Sequence, residues 1–387
     1  MTLRFIARCV RGLEWVLAAE IAEIGQIGDP RMAERQMSFC LPPPGRRVLS
    51  LRAADDLLLH IGTCAAVGHT RAALPAISQC AGQLDFTGAV AQLRTFRPLP
   101  ATPRFDVVAS LLGRRNYNRY AVEDAAGTAI ASVFGGRYVS RGSETASARQ
   151  AADTDLTFRL FLHGPQMQVA VRVPGRPLHR REWKQATGPG TLHPPVAAAL
   201  ARIATRPQDT VACDPLCGDG TIPIELALAH PDLHVLAADL DMGRLANART
   251  NAARANALVG LTRADAGYPA WRPGSLDLVM SNPPWNRSVS AAGALAPTLD
   301  PLWDRLPAIL SPRGRVCVVA DAELDMATRL RQRGYEIALA QVIRLAGRVS
   351  DIVLATPPGA AQACLPPSLE RWRKHAIEIG LLAPGGF

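Results

Sequence analysis

Two short stretches of this chain hold the residue types for one kind of chemistry. Asp-Pro-Leu-Cys-Gly-Asp-Gly-Thr at 214–221 is a glycine-bearing turn with carboxylates on it, and Ser-Asn-Pro-Pro-Trp at 281–285 is a stiff turn that presents an amide, carbonyls and an indole. An exocyclic amine on an aromatic base is a poor nucleophile, because its lone pair is delocalised into the ring. The Asn282 side-chain carbonyl and the Pro283 backbone carbonyl can each accept one N–H of such an amine, which holds the nitrogen and frees its lone pair for attack. The two prolines stiffen the turn and remove competing donors. Trp285 offers a flat face for stacking the base, worth roughly 1–3 kcal/mol. Asn282, Pro283 and Trp285 are therefore the catalytic candidates.

The glycine turn would hold the reagent. Gly218 and Gly220 let the backbone bend sharply and approach a ligand closely. A phosphate-binding loop would need Gly-Lys-Ser/Thr, which is absent, and Asp214 and Asp219 would repel a pyrophosphate. The same carboxylates suit a cationic sulfonium, so S-adenosylmethionine is the expected cofactor, with an in-line methyl transfer whose rate comes mainly from positioning. Its expected contacts are Asp214, Cys217, Gly218, Gly220, Thr221, Asp239, Asp265, Ala266 and Asn282. Asp239 ends a strand where a carboxylate can accept from a ribose diol, Asp241 being the competing candidate unless it caps the following helix. Asp265 can accept from an adenine amino group. Cys213 and Cys217 lie on the cofactor strand and turn, and no Pro-Cys stands where an attacking thiolate would be needed, so they are expected to pack.

These residues need a scaffold. From 210 onward, short apolar runs at 210–213, 234–238, 276–280 and 315–320 alternate with helical segments at 221–229, 242–257, 301–310 and 323–333, which predicts a doubly wound parallel sheet. Runs 335–343 and 350–355 lack a helix between them and should close the sheet as an antiparallel hairpin. Before residue 186 the pattern is mixed. Strands are expected at 3–10 and 105–112, helices at 12–24, 48–61 and 121–134, and a hairpin from 156–162 and 167–173 around His-Gly-Pro. Ala-Thr-Gly-Pro-Gly-Thr-Leu-His-Pro-Pro at 186–195 reads as a linker into a helix over 196–204. The expected division is 1–185, 186–356 and a Pro-bearing tail, 357–387, with one helix around 369–379.

At 387 residues with 48% hydrophobic and 20% charged content, the chain is globular rather than disordered. No apolar run reaches the ~18–20 residues of a membrane span, and no signal peptide is expected. The eight cysteines are dispersed without zinc-ligand spacing, so they are expected as small buried hydrophobes in a reducing cytoplasm, and no metal site is expected. The net charge of +10 is uneven: residues 1–190 hold 24 basic against 15 acidic side chains, residues 191–387 hold 19 against 18. Arginine bias does not explain that asymmetry, which points the first half toward a polyanion. Arg114, Arg115 and Arg119 around Asn-Tyr-Asn, and Arg180, Arg181 and Lys184, are the candidate RNA contacts, each cluster being either that or a solvated face.

With these residues in hand, residues 1–356 resemble the THUMP-domain RNA guanine-N2 methyltransferases. The resemblance rests on the two turns above, on Arg-Gly-Leu-Glu at 11–14, the paired strands at 156–173, Pro-Leu-His-Arg-Arg-Glu-Trp-Lys at 177–184 and the helix at 193–204. Leu216 stands where the family usually has phenylalanine, and Asp219 where it often has serine. The family implies a ferredoxin-like module and a THUMP domain, both α+β, followed by a Rossmann-like class I methyltransferase domain: an α/β chain overall. It implies transfer of a methyl group to the N2 of guanosine in structured RNA, foremost tRNA, by a cytoplasmic monomer. Ribosomal RNA, the N6 of adenine in DNA, a glutamine amide in a protein, and a non-catalytic RNA-binding role are the alternatives.

Overall fold

The computed structural model describes residues 2–43, 45–65, 67–142, 154–268, 270–285, 289–345 and 347–383. Eight strands precede the linker: β1 (Leu3–Arg8), β2 (Gly28–Ala33), β3 (Gln36–Leu41), β4 (Asp56–Cys64), β5 (Arg104–Leu112), β6 (Arg137–Tyr138), β7 (Leu156–His163) and β8 (Gln166–Arg172). They form one sheet in the order β2-β3-β1-β4-β8-β7-β5-β6. One face carries Phe5, Phe39, Leu57, Phe105 and Phe158 into the main core, under helices that include Glu14–Ala22 and Arg119–Phe134. The opposite face holds only a small apolar cluster, Ile6, Leu58 and Ala170, with Phe161 packed against it. The hairpin expected at 156–173 is present, with Phe158 opposite Val171.

Two expectations are corrected here. Residues around Leu57–Leu59 are not helical; they lie in β4, where Leu59 pairs with Phe5 of β1 and Leu58 with Arg172 of β8. A strand with partners on both edges and apolar residues on both faces reads as an unbroken hydrophobic run, which periodicity cannot separate from a buried helix. Nor are all the cysteines free. Cys64 at the end of β4 and Cys80 in helix Leu74–Gly82 are disulfide-bonded across a Cα–Cα distance of 6.1 Å.

The second sheet contains β9 (Val211–Asp214), β10 (His234–Asp239), β11 (Val259–Arg263), β12 (Leu276–Ser281), β13 (Leu310–Asp321), β14 (Glu336–Leu345) and β15 (Arg348–Thr356). Its order is β11-β10-β9-β12-β13-β15-β14, parallel from β11 to β13 and antiparallel at β15 and β14. The chain runs outward from β9 in one direction and returns to β12 on its other side, so the carboxyl end of β9 lies at the switch point where such sheets bind ligands.

The two sheets are held together by buried contacts. Helix Pro194–Ala204 starts on two prolines, where missing N–H groups cost nothing, and is buried along its length. Helix Pro367–Glu378 packs against Glu14–Ala22, with Leu369 and Ala376 entering the same core. The Arg344 N–H at the end of β14 donates to the Arg11 carbonyl at 3.0 Å, so the closing hairpin reaches the first sheet. No described helix is long and apolar enough to cross a membrane.

Candidate functional site

Residues from both sheets line a cleft of about 1710 Å³ above the carboxyl ends of β9, β10 and β12. The turn after β9 forms its floor. Gly218 has φ +52° and Gly220 φ +85°, conformations that a side chain would strain. A Cβ on Gly220 would also sit 3.0 Å from that of Ala248, whereas nothing lies within 4 Å of one on Gly218, which faces open space. Gly220 thus lets helix Met242–Ala255 pack closely, and Gly218 leaves room for a ligand. The Thr221 hydroxyl, at the start of helix Thr221–Ala229, is buried without a hydrogen-bond partner.

The carboxylates divide into those held for a ligand and those used by the fold. Asp239, at the end of β10, accepts from the Gly218 N–H at 2.8 Å and the Asp241 N–H at 2.9 Å, which fixes it at the lip of the glycine turn. Asp241 caps helix Met242–Ala255, its Oδ1 accepting from the Gly243 and Arg244 N–H groups. Asp265 accepts from Gly267 at 2.9 Å and Ala294 at 2.8 Å beside the buried Ala266. Asp214 is 2% exposed, and burial, reinforced by the charge of Asp239, pushes its carboxyl up to about 7. Cys217 is buried and its thiol is raised well above the ordinary range by burial, so it is no thiolate.

Asp219 has a different task from the one its charge suggests. It accepts from the Gly188 N–H at 2.7 Å, Arg244 Nη1 at 2.7 Å, Asn247 Nδ2 at 2.9 Å and the Thr191 hydroxyl. These donors hold its pKa below the usual carboxylate value against the burial that would raise it. Asn251, fully buried, accepts from Gln185 and Ala186 N–H groups and donates to the Ala186 and Asp219 carbonyls. Segment 185–191 is therefore pinned over the cofactor turn. Asp219, expected to face a cationic sulfonium, is engaged by protein donors instead, and Asn247 and Asn251 carry no sequence expectation; the signal available for them was the pair of amides four residues apart on one helical face.

That pinned segment anchors the Asn-Pro-Pro-Trp turn. Asn282 donates from Nδ2 to the Gly190 carbonyl at 3.2 Å, while its Oδ1 is buried with no partner. The Trp285 Nε1–H is likewise buried and unpartnered, and Pro283 is buried beside them. An acceptor left unsatisfied in the interior costs about 1–3 kcal/mol. Here it lies in a cleft wall, where a ligand N–H would satisfy it.

The basic candidates separate. Arg181 is turned inward, donating from Nε to Glu225 at 2.8 Å and from Nη1 and Nη2 to the Leu178 and Arg52 carbonyls. Lys184 donates to the Leu192 carbonyl at 2.8 Å, and burial pushes it down to about 8. Both line the cleft but are engaged by the protein; Arg180 lines it with its side chain exposed. Arg114, Arg115 and Arg119 lie away from the cleft. Arg114 is exposed, Arg115 is tied to the Gly68 and Gly164 carbonyls, and Arg119 donates to the Tyr120 hydroxyl at 2.7 Å.

The residues present fit S-adenosylmethionine: a glycine cradle open at Gly218, an unpartnered Thr221 hydroxyl, and carboxylates at the ends of three successive strands. Comparison with known proteins agrees. Residues 181–350 match the family UPF0020, the RMKL-like methyltransferase domain. The chain is 33% identical over 196 residues to a tRNA (guanine(6)-N2)-methyltransferase of Thermus thermophilus, covering 49% of this chain and 56% of that protein. It is 26% identical over 191 residues to human tRNA (guanine(6)-N(2))-methyltransferase THUMP3, covering 45% of this chain and 36% of that one. The matched stretch thus spans about half or less of these relatives. The crystal structure of TrmN from Thermus thermophilus superposes with a TM-score of 0.72 at 25% identity, covering 92% of this chain and 99% of the other.

Proposed function

We propose, on the premise that residues 181–350 are an S-adenosylmethionine-dependent methyltransferase domain, that this protein methylates the N2 of a guanosine in tRNA. The observation that carries the reading is Asn282, whose Oδ1 is held buried and unpartnered in the cleft while Nδ2 is anchored on Gly190. When bound, S-adenosylmethionine supplies an electrophilic methyl group on a sulfonium. Asp239 would hold the ribose hydroxyls, with the lone pairs that Gly218 and Asp241 leave free. Asp265 and Ala266 would flank the adenine, and the Asp214 carboxylate would favour the positive charge.

Asn282 Oδ1 and the Pro283 carbonyl would accept the two N–H groups of the guanine amine. That grip strengthens as the nitrogen gains positive charge, so it acts in the transition state more than in the ground state. Trp285 would stack on the base and exclude water. The uneven charge of the first half and the tRNA-modifying relatives support RNA as the substrate.

Mass spectrometry of nucleosides tests this directly. Purified protein and S-adenosylmethionine, given tRNA, ribosomal RNA or DNA, should produce N2-methylguanosine in tRNA. Methylation confined to ribosomal RNA would move the target, and N6-methyladenine in DNA would replace the substrate class.

A further inference from the structure

The face of the first sheet that does not enter the main core carries an unusual charge arrangement. Arg8 of β1 and Arg159 of β7 both lie over the ring of Phe161, at 4.8 and 5.4 Å from its centroid. Neither has a carboxylate partner among the described residues. Arg8 donates to the neutral Gln36 side chain at 2.7 Å and Arg159 approaches the Ser110 hydroxyl at 3.4 Å, while Arg159 Nε is buried with no partner. The nearby carboxylate of Asp56 is taken by Arg172, whose Nε reaches both its oxygens at 2.9 and 3.1 Å. Burial pushes both guanidinium groups down, assisted by Arg35 at Arg8 and by Arg172 at Arg159, the latter to about 10. Like charges held together around one ring are costly unless an anion compensates them.

Arg8, Arg159 and Phe161 line the same cleft as Asn282. We propose that the Arg8–Phe161–Arg159 cluster is a phosphodiester subsite, seating a backbone phosphate of the RNA strand that carries the target base. Two guanidinium groups from separate strands, each within 5.4 Å of one ring centroid, supply the charged donors that a phosphate takes. This subsite lies on the first sheet's face opposite the main core; it shares the cleft with Arg180, Arg181 and Lys184, whereas the 114–119 cluster does not line that cleft. It rests on the reading of a nucleic-acid substrate and specifies where the strand runs once its base is at Asn282.

The test is full-length protein titrated with a tRNA transcript at several salt concentrations, beside separate titrations with S-adenosylmethionine and with inorganic phosphate. Arg8→Gln and Arg159→Gln should each weaken tRNA binding at least fivefold and flatten the log–log salt slope by about 0.7, with S-adenosylmethionine affinity unchanged. Arg8→Lys should restore most of the slope, because it restores the charge. Inorganic phosphate should displace tRNA only at concentrations far above that of the RNA, as expected for one subsite of a longer strand. If Arg159→Gln also loses the cofactor, its fold is damaged and the half-buried Arg8 decides alone. Wild-type tRNA binding with an Arg8→Gln slope equal to wild type overturns the subsite and leaves the proposed function standing. Wild-type protein that neither binds nor methylates RNA overturns both.

Discussion

Arg181 and Glu225 lie on opposite sides of the linker and are bonded at 2.8 Å, Nε to Oε1, with Glu225 fully buried on the helix that follows the cofactor turn. Arg52, from the first sheet's side of the molecule, donates to the other oxygen at 2.8 Å. The glycine turn and the N-terminal region are therefore braced by one carboxylate between two guanidinium groups, and the second sheet is not an independent piece. Glu225→Ala strands two cations near a buried face and should cost about 3–5 kcal/mol. A urea midpoint within a few tenths of a molar of wild type would show that the brace adds no stability.

Asn282→Ala should lower the single-turnover methylation rate on the order of a hundredfold, because the lost acceptor matters most as the nitrogen becomes cationic. S-adenosylmethionine affinity should stay close to wild type. Rates within a few fold of wild type would remove Asn282 from the chemistry.

Asp239→Ala should weaken S-adenosylmethionine binding by about 1.5–3 kcal/mol through loss of a charged acceptor and of the Gly218 anchor. Asp241→Ala should instead cost about 1 kcal/mol of stability as a lost helix cap, with little change in calorimetric cofactor affinity. The reverse pattern would exchange their roles.

Asp214 gives the cofactor affinity a pH dependence. Its carboxyl is raised to about 7, so it is largely neutral below that value and ionised above it. A cationic ligand favours the ionised form, so affinity should rise between pH 6 and 8, with proton release on binding near pH 6.5. Stability runs the other way. A carboxyl with its folded pKa raised contributes most below the unfolded value of about 4 and loses that contribution as pH rises through about 7. Asp214→Asn should abolish both trends, and calorimetry in buffers of different ionisation enthalpy would reveal persistent proton release.

The second sheet and its strand-end residues were legible because their signals are local. A glycine turn after β9, carboxylates ending β10 and following β11, and Asn-Pro-Pro-Trp after β12 each announce a strand end, and a parallel sheet brings strand ends together. What stayed hidden depends on contacts distant in sequence. The charge of Asp219 suggested a role toward a cation, but its partners at Gly188, Arg244 and Asn247 come from three segments. Arg181 stood in a basic run that suited an anion, yet its partner Glu225 lies beyond the linker. Arg8 and Arg159 sit at alternating positions of two expected strands, but nothing local shows that both meet Phe161 across the sheet.

Helix Pro367–Glu378 covers helix Glu14–Ala22, so a surface made by one segment receives its cover from another far later in the chain. Until then the apolar flank of the first helix is bare to the cell. On a ribosome, the N-terminal sheet can assemble early, but its completed form must wait for the tail. Truncation ahead of residue 367 would leave a nascent-like surface permanently open, a site for chaperone capture or self-association even though every residue lining the cleft is still present.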